Sequence, residues 1–246
     1  MTGYSLSGIL KSFKKLLKRI PAIGPAIVYA RGQSRIAKVE PEKAHLDFVG
    51  SAAFWEEQYR RGGDSGAGSK GRLAEFKAEI INEFVARESI SSVIEFGCGD
   101  GQQLLLSRYP KYLGIDVSQT AIDKCRTRFV KNADVQFLTY EEYQGEVADL
   151  ALSLDVIFYL VEDRVFDSYM SRLFDAATRY VVIYSSNFES EPAPTAAHVR
   201  NRQFTLWVAA HRHEWQLIRH IPNRYPFNGD STETSTSDFF VFSKAN

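Results

Sequence analysis

Apolar positions along this chain recur with two periods. From Leu73 to Val85, Leu73, Phe76, Ile80, Ile81 and Phe84 fall at helical spacing. From Ser92 onward, short apolar runs alternate with helix-period segments. Val93 to Phe96 predicts a buried strand running into glycines, Gln102 to Tyr109 a helix, and Tyr112 to Asp116 a second strand. Gln119 to Val130 predicts a helix with Ser118 as its N-cap. Val135 to Leu138 and Asp149 to Val156 read as the third and fourth strands. Asp163 to Ala177 reads as a helix that turns Phe166, Tyr169, Met170, Leu173 and Phe174 inward, and Tyr180 to Tyr184 as the fifth strand. Strands alternating with helices predict an α/β fold, a doubly wound and mostly parallel sheet with helices on both faces. The tail departs from that rhythm. A helix ends over Trp207 to His211, and Trp215 to Ile221 and Phe239 to Ser243 read as two strands. Pro222 and Pro226 keep their connection from forming a crossover helix, so the sheet is expected to finish as an antiparallel pair.

Upstream, residues 1–45 are expected to form an N-terminal helical extension to a main domain over 46–246, within which 46–90 reads as a helical lid and loop region and 91–246 as the core. In residues 9–20, Ile9, Leu10, Phe13, Leu16, Leu17 and Ile20 share one side, and Lys11, Lys14, Lys15, Lys18 and Arg19 lie between them uncompensated by any acid. Lysines interrupting the apolar residues argue against an export signal. Such a helix suits an anionic membrane surface, as a peripheral contact, or packs its apolar side on the body or on a second subunit in a homodimer.

Composition narrows the function. Of 246 residues, 44% are hydrophobic and 24% charged, and thirty basic residues cancel thirty acidic ones. A neutral chain has no overall field to gather nucleic acid. Cys98 and Cys125 are distant in sequence and form no CxxC pair, which argues against a disulfide scaffold or structural zinc site and suits a cytoplasmic protein. No metal-ligand spacing is evident, so no metal is expected. Gly62 to Gly71 contains five further glycine and serine positions between aromatic Phe54, Trp55 and Tyr59 and the helix from Leu73. That stretch reads equally as a flexible linker or as a loop that presents N–H groups to a ligand.

The most informative stretch is Glu95-Phe96-Gly97-Cys98-Gly99-Asp100-Gly101, after a strand and before a helix. Glycines there let the backbone turn sharply and approach a ligand. Asp116 closes the neighbouring strand at the same sheet edge, where its carboxylate can accept hydrogen bonds from both hydroxyls of a ribose. Together they indicate an adenosine-containing cofactor. A dinucleotide fingerprint requires a glycine at position 102, which is Gln102.

The stretch from Val93 to Gly101 resembles the first motif of class I, Rossmann-like S-adenosylmethionine-dependent methyltransferases. Leu113-Gly114-Ile115-Asp116-Val117-Ser118 resembles their second, Asp149 to Val156 their fourth-strand motif, and Phe239-Phe240-Val241-Phe242 their last strand. The resemblance spans roughly 90–246. It implies S-adenosyl-L-methionine as cofactor, with Gly97, Cys98 and Gly99 along its amino-acid part, Glu95 near its ammonium, Asp116 on the ribose and Val117 on the adenine. Adenine recognition falls to Glu141 or Tyr140, and Asp155 with Val156 points at the methyl-donor end. The region from Trp55 to Asn82 is similar to a bacterial subgroup of small-molecule and surface-polysaccharide modifying enzymes. That similarity favours the ligand-loop reading and makes Tyr59, Ser69 and Arg72 lid candidates.

Methyl transfer needs alignment of the acceptor and, for a hydroxyl or amine, a positioned base. Tyr159, His198, Arg200 and Arg202 fall where the family's acceptor loops lie. Tyr159, His198 and Asp155 are the catalytic candidates, His198 as base, and Arg202 is suited to an acceptor phosphate or carboxylate. Each also has a plain structural reading: a core tyrosine, a surface histidine, solvated arginines. Cys98 serves equally as a small residue in a tight turn, and His211 and His213 suit a helix end. The expected activity is methylation of a small-molecule or sugar-type acceptor, at oxygen. The rivals are a nicotinamide-dependent oxidoreductase, a nucleic-acid methyltransferase and a non-catalytic cofactor-binding module.

Overall fold

The computed structural model describes residues 48–189 and 196–245. The basic segment 9–20, and the extension 1–45 that contains it, lie outside the described residues.

Among the described residues seven strands form one sheet: β1 (Val93–Phe96), β2 (Tyr112–Asp116), β3 (Val135–Thr139), β4 (Ala148–Leu154), β5 (Ala177–Ser185), β6 (Trp215–Ile221) and β7 (Asp238–Lys244), in the order β3-β2-β1-β4-β5-β7-β6. The first five run parallel, and β7 pairs antiparallel with both β5 and β6. Among the described residues five α-helices accompany them: α1 (Ser51–Arg60), α2 (Gly71–Arg87), α3 (Gln119–Arg128), α4 (Asp163–Asp175) and α5 (Phe204–His211). The sequence-based expectation of a doubly wound sheet closed by an antiparallel pair is met. Strand order reverses on either side of β1, which opens a crevice beyond the C-terminal ends of β1, β2 and β4.

Alternation along the strands splits the core in two. Ile94, Phe96, Ala151, Ile183, Phe240 and Phe242 pack with Met170, Leu173 and Phe174 of α4. Val93, Leu150, Leu152, Val182, Phe239 and Val241 pack with Phe76, Ile81 and Phe84 of α2 and Ile122 of α3. Burying each such large side chain stabilises the fold by roughly 1.5–3 kcal/mol. Glu95 shares the α2 face with Val93, which places a carboxylate in an apolar layer.

One expected element is different. Gln102 to Tyr109 does not form an α-helix; only Gln103–Leu106 makes a single 3-10 turn. Leu105 and Leu106 are 57% and 41% exposed, so the segment has no buried stripe to hold a longer helix. Asn82 of α2 clamps its end, donating to the Leu106 carbonyl at 2.9 Å and accepting from Arg108 N at 2.8 Å. Pro110 follows and disfavours helical backbone at Tyr109. Elsewhere the differences are of boundary: α3 ends at Arg128, and β4 runs Ala148–Leu154.

Candidate active site

The loop after β1 is shaped by three glycines with left-handed backbone: Gly97 at φ 79°, Gly99 at 56° and Gly101 at 76°. Added side chains would also find no room. A Cβ on Gly97 would collide with Val156 and one on Gly99 with Ser65 Oγ, and one on Gly101 would stand 2.8 Å from the Phe129 ring. The loop is braced from β2: Asp116 Oδ2 accepts from Gly99 N at 2.9 Å and Oδ1 from Ser118 N at 2.9 Å. Burial pushes the Asp116 carboxyl up to about 6, and the backbone N–H groups of Ser118, Gly99 and Val117 oppose that rise. A carboxylate has about four lone-pair positions, so the two N–H bonds leave acceptor capacity for a diol. Ser118 caps α3 as expected, accepting from Ala121 N at 3.1 Å.

Residues 51–69 cover this loop. The Ser65 hydroxyl donates to Asp100 Oδ1 at 2.8 Å and accepts from Asp100 N at 3.1 Å, and the Tyr59 hydroxyl lies 3.0 Å from it. Glu56 accepts from the Ser118 hydroxyl at 2.6 Å and from Thr120 N at 3.2 Å. Lys124 Nζ donates to the carbonyls of Tyr59 and Gly63 at 3.1 and 3.2 Å. The glycine- and serine-rich stretch is therefore an ordered cover held by α3 and the loop after β1. Ser65 and Glu56 were not singled out in the sequence. A serine among glycines and an acid in an exposed-looking helix carry no signal until the fold brings β2 and α3 beneath them.

Asp155 follows β4 with φ 58°, left-handed backbone that is uncommon for a non-glycine residue. Its Oδ2 accepts from Lys77 Nζ at 2.8 Å and its Oδ1 from the Ser237 hydroxyl at 2.9 Å. Gly68 of the cover lies directly above: a Cβ there would stand 2.8 Å from Asp155 Oδ2. Lys77 is 1% exposed, on the buried face of α2 with Leu73, Phe76 and Ile81. Sequence reasoning missed it, although a signal exists. Position 77 is four residues from both Leu73 and Ile81, so it is a cation on an apolar stripe.

The remaining candidates separate into groups. Tyr159 and His198 come together: the His198 ring stacks on Phe54 at 4.3 Å and on Tyr159 at 6.0 Å, and Trp55 meets Tyr159 edge-on at 4.8 Å. Burial lowers His198 below the ordinary imidazole range, which favours the neutral ring. Burial raises the Tyr159 phenol, as does the charge of Asp155. Arg200 and Arg202 brace the start of α4 instead. Both donate to Asp163 Oδ1, at 2.9 and 2.7 Å, and both reach the Val161 carbonyl. Buried Arg202 turns both terminal guanidinium nitrogens to these partners and to the Leu160 carbonyl, not to an open acceptor site. Arg72 pairs with Glu233 at 2.8 Å and lies over the Tyr225 ring. Ser69 ends a short 3-10 turn, Ala67–Ser69, beside Gly68.

Around the adenine end, Val117 is 44% exposed. Tyr140 is half-buried beneath the Arg172 guanidinium, and Glu141 is exposed. Glu95 is fully buried and accepts from the Tyr112 hydroxyl at 2.7 Å; burial pushes it up to about 7. Cys98 and Cys125, distant in sequence, both direct Sγ at the Gly99 carbonyl, at 3.8 and 3.2 Å. Burial raises the Cys98 thiol, which favours its neutral form in the tight turn. Among the described residues no cluster of three His, Cys, Asp or Glu side chains suits a metal ion, and no helix is long and apolar enough to cross a membrane.

No protein-family model and no curated protein matches the sequence. Solved structures do. Magnesium protoporphyrin IX methyltransferase from Synechocystis PCC 6803, with bound SAH, is similar at TM-score 0.56 and 14% identity, over 81% of this chain and 97% of that one. The N-methyltransferase NodS from Bradyrhizobium japonicum WM9 is similar at TM-score 0.55 and 14% identity, over 71% and 98%. A putative RNA methyltransferase from Pyrococcus horikoshii is similar at TM-score 0.54 and 13% identity, over 88% and 99%. The fold is a methyltransferase fold. In its terms the glycine loop, Asp116 and Asp155 line one crevice, and residues 51–69 cover it.

Proposed function

We propose that this chain is an S-adenosylmethionine-dependent methyltransferase acting on a small-molecule or sugar-type acceptor, at oxygen. The observation that carries the reading is the glycine loop braced against a buried carboxylate: three left-handed glycines whose Cβ positions are closed to side chains, with Gly99 N bound to Asp116. That cradle fits the cofactor. Gly97 and Gly99 would lie along its amino-acid part, Asp116 would accept from the ribose hydroxyls, Val117 would pack on the adenine, and Tyr140 or Glu141 would meet the adenine edge. Glu95, which accepts from the Tyr112 hydroxyl, would lie near the ammonium of that amino-acid part.

The cofactor supplies an electrophilic methyl group when bound; the chain has to align an acceptor and exclude water. Exclusion falls to residues 51–69, with Tyr59 and Ser65 against the loop and Gly68 against Asp155. The rings of Phe54, Trp55, Tyr159 and His198 form a wall beside Asp155, and flat apolar rings suit the faces of a sugar or planar acceptor. His198, whose partial burial favours the neutral ring, would be the base that takes the acceptor's proton at a ring nitrogen. Zero net charge supports a small acceptor over a polyanion.

Calorimetric titration with S-adenosylmethionine, S-adenosylhomocysteine and NADH tests the cofactor. Micromolar binding of both sulfur compounds and none of NADH is expected. Binding of NADH alone would move the assignment to an oxidoreductase. Given a cofactor-binding protein, His198→Ala should lower turnover far more than cofactor affinity.

A further inference from the structure

Lys77, Asp155 and Ser237 come from three distant segments, α2, the end of β4 and the start of β7, and meet at one carboxylate. The Lys77 side chain is 1% exposed, and the Tyr184 ring lies 5.4 Å from its ammonium. A lysine so buried has a large desolvation cost that only a fixed counter-charge offsets. Asp155 is the one carboxylate within hydrogen-bonding reach of it among the described residues. The carboxylate in turn is held in left-handed backbone and keeps its strand bond, Asp155 N to the Tyr184 carbonyl at 2.8 Å.

The place of this pair in the crevice is fixed by two contacts. Val156, the next residue, abuts Gly97 at the start of the glycine loop. The short cover segment from Ser65 to Gly68 touches Gly99 and Asp100 at one end and Asp155 at the other. Asp155 and the glycine loop therefore lie under the same four residues of chain. On the reading proposed above, the sulfonium end of the cofactor would fall between them.

The geometry points to Lys77 as a positioning residue that holds and neutralises the Asp155 carboxylate against the methyl-donor end of the crevice. With its charge cancelled, the carboxylate does not favour the cationic cofactor over its neutral thioether product. Tight ground-state binding of the sulfonium would deepen the well from which reaction starts without speeding the reaction. A neutral pair avoids that trap, and the same fixed carboxylate presents its free lone pairs to an acceptor hydroxyl.

The inference rests on the cofactor reading, and one experiment separates the two. S-adenosylmethionine and S-adenosylhomocysteine differ by a methyl group and one positive charge, so the ratio of their dissociation constants reports the local field. Both are titrated calorimetrically at pH 8 into the full chain and into Lys77→Met, Lys77→Arg and Asp155→Asn, each checked for folding by circular dichroism. Lys77→Met, which leaves the carboxylate unpaired, should shift the ratio toward S-adenosylmethionine by about tenfold. Asp155→Asn, which leaves the ammonium unpaired, should shift it by about tenfold the other way. Lys77→Arg should stay within about twofold of the wild type. Where Lys77→Met does not fold, the isosteric Asp155→Asn carries the test. Equal changes for both ligands in a folded variant would reduce Lys77 to a structural ion pair and overturn the inference alone. A wild-type chain that binds neither ligand would overturn the cofactor reading and this inference with it.

Discussion

Two carboxylates stand at ends of neighbouring parts of the sheet and are held in opposite ways. Asp116, after β2, is fixed by backbone N–H groups of Gly99 and Ser118, which belong to the adjacent loop and to its own turn. Asp155, after β4, is fixed by the side chains of Lys77 and Ser237, 78 and 82 residues away. The first arrangement consists of peptide groups, placed by a glycine loop and a turn close to the carboxylate in the sheet. The second depends on two chosen residues and on left-handed backbone at a non-glycine position. The β1–β2 end of the crevice is thus built from local backbone geometry, and the β4–β7 end from long-range side-chain chemistry.

The comparison predicts where substitutions do most damage. The largest effect should follow Lys77→Met: removing one partner of a buried ion pair typically costs about 3–5 kcal/mol. Urea denaturation should show that loss, and Lys77→Arg should recover part of it. A loss below ~1 kcal/mol would mean that the β4–β7 end does not depend on this pair.

Glu95→Gln comes next and tests the buried carboxyl behind β1. Burial raises Glu95 from 4.5 to about 7 in the folded chain. Between those values the unfolded chain has released the proton and the folded one retains it. Wild-type stability therefore falls as pH rises from 4.5 to about 7 and stays low above that, by on the order of 3 kcal/mol from this group. The variant lacks this contribution. Its stability relative to wild type should rise by that amount across the window, as measured by denaturation at pH 4.5 and pH 8; a constant difference would show that Glu95 is not the titrating group.

Asp116→Ala should weaken S-adenosylmethionine binding by about 1.5 kcal/mol or more, the scale of a lost charged hydrogen bond. Unchanged affinity in a folded variant would remove Asp116 from the cofactor site. The smallest effect should be that of Arg72→Ala. Its partner Glu233 is 56% exposed, so the pair contributes less than ~1 kcal/mol to stability. A tenfold loss of cofactor affinity without loss of stability would instead make Arg72 part of the cover's function.

The same contrast explains how much of this protein is legible from its residues in order. Strand and helix periods, Ser118 as a cap, the glycine loop and Asp116 all arise from short-range pattern, because backbone geometry and alternation are properties of neighbours. The helix expected over Gln102 to Tyr109 failed partly for a local reason, Pro110 after Tyr109, and partly for a non-local one: Asn82 takes the Leu106 carbonyl and the Arg108 N–H. Arg202 looked free to bind an anion because nothing nearby in sequence opposes it, whereas the fold supplies Asp163 and two carbonyl oxygens. His198 and Tyr159 were candidates separately; that they stack on one another and on Phe54 required three segments to converge.

The sequence by itself determined the doubly wound sheet, its antiparallel finish and the glycine-and-acid cradle, because each follows from periodicity and motifs within short stretches of chain. Only the tertiary structure decided that the glycine- and serine-rich stretch is a cover and that a lysine on an apolar stripe pairs with Asp155. It likewise placed Glu56 over the cap of α3. Those are contacts between charged or polar groups dozens of residues apart, and burial makes them decisive only once the chain has folded and water has left.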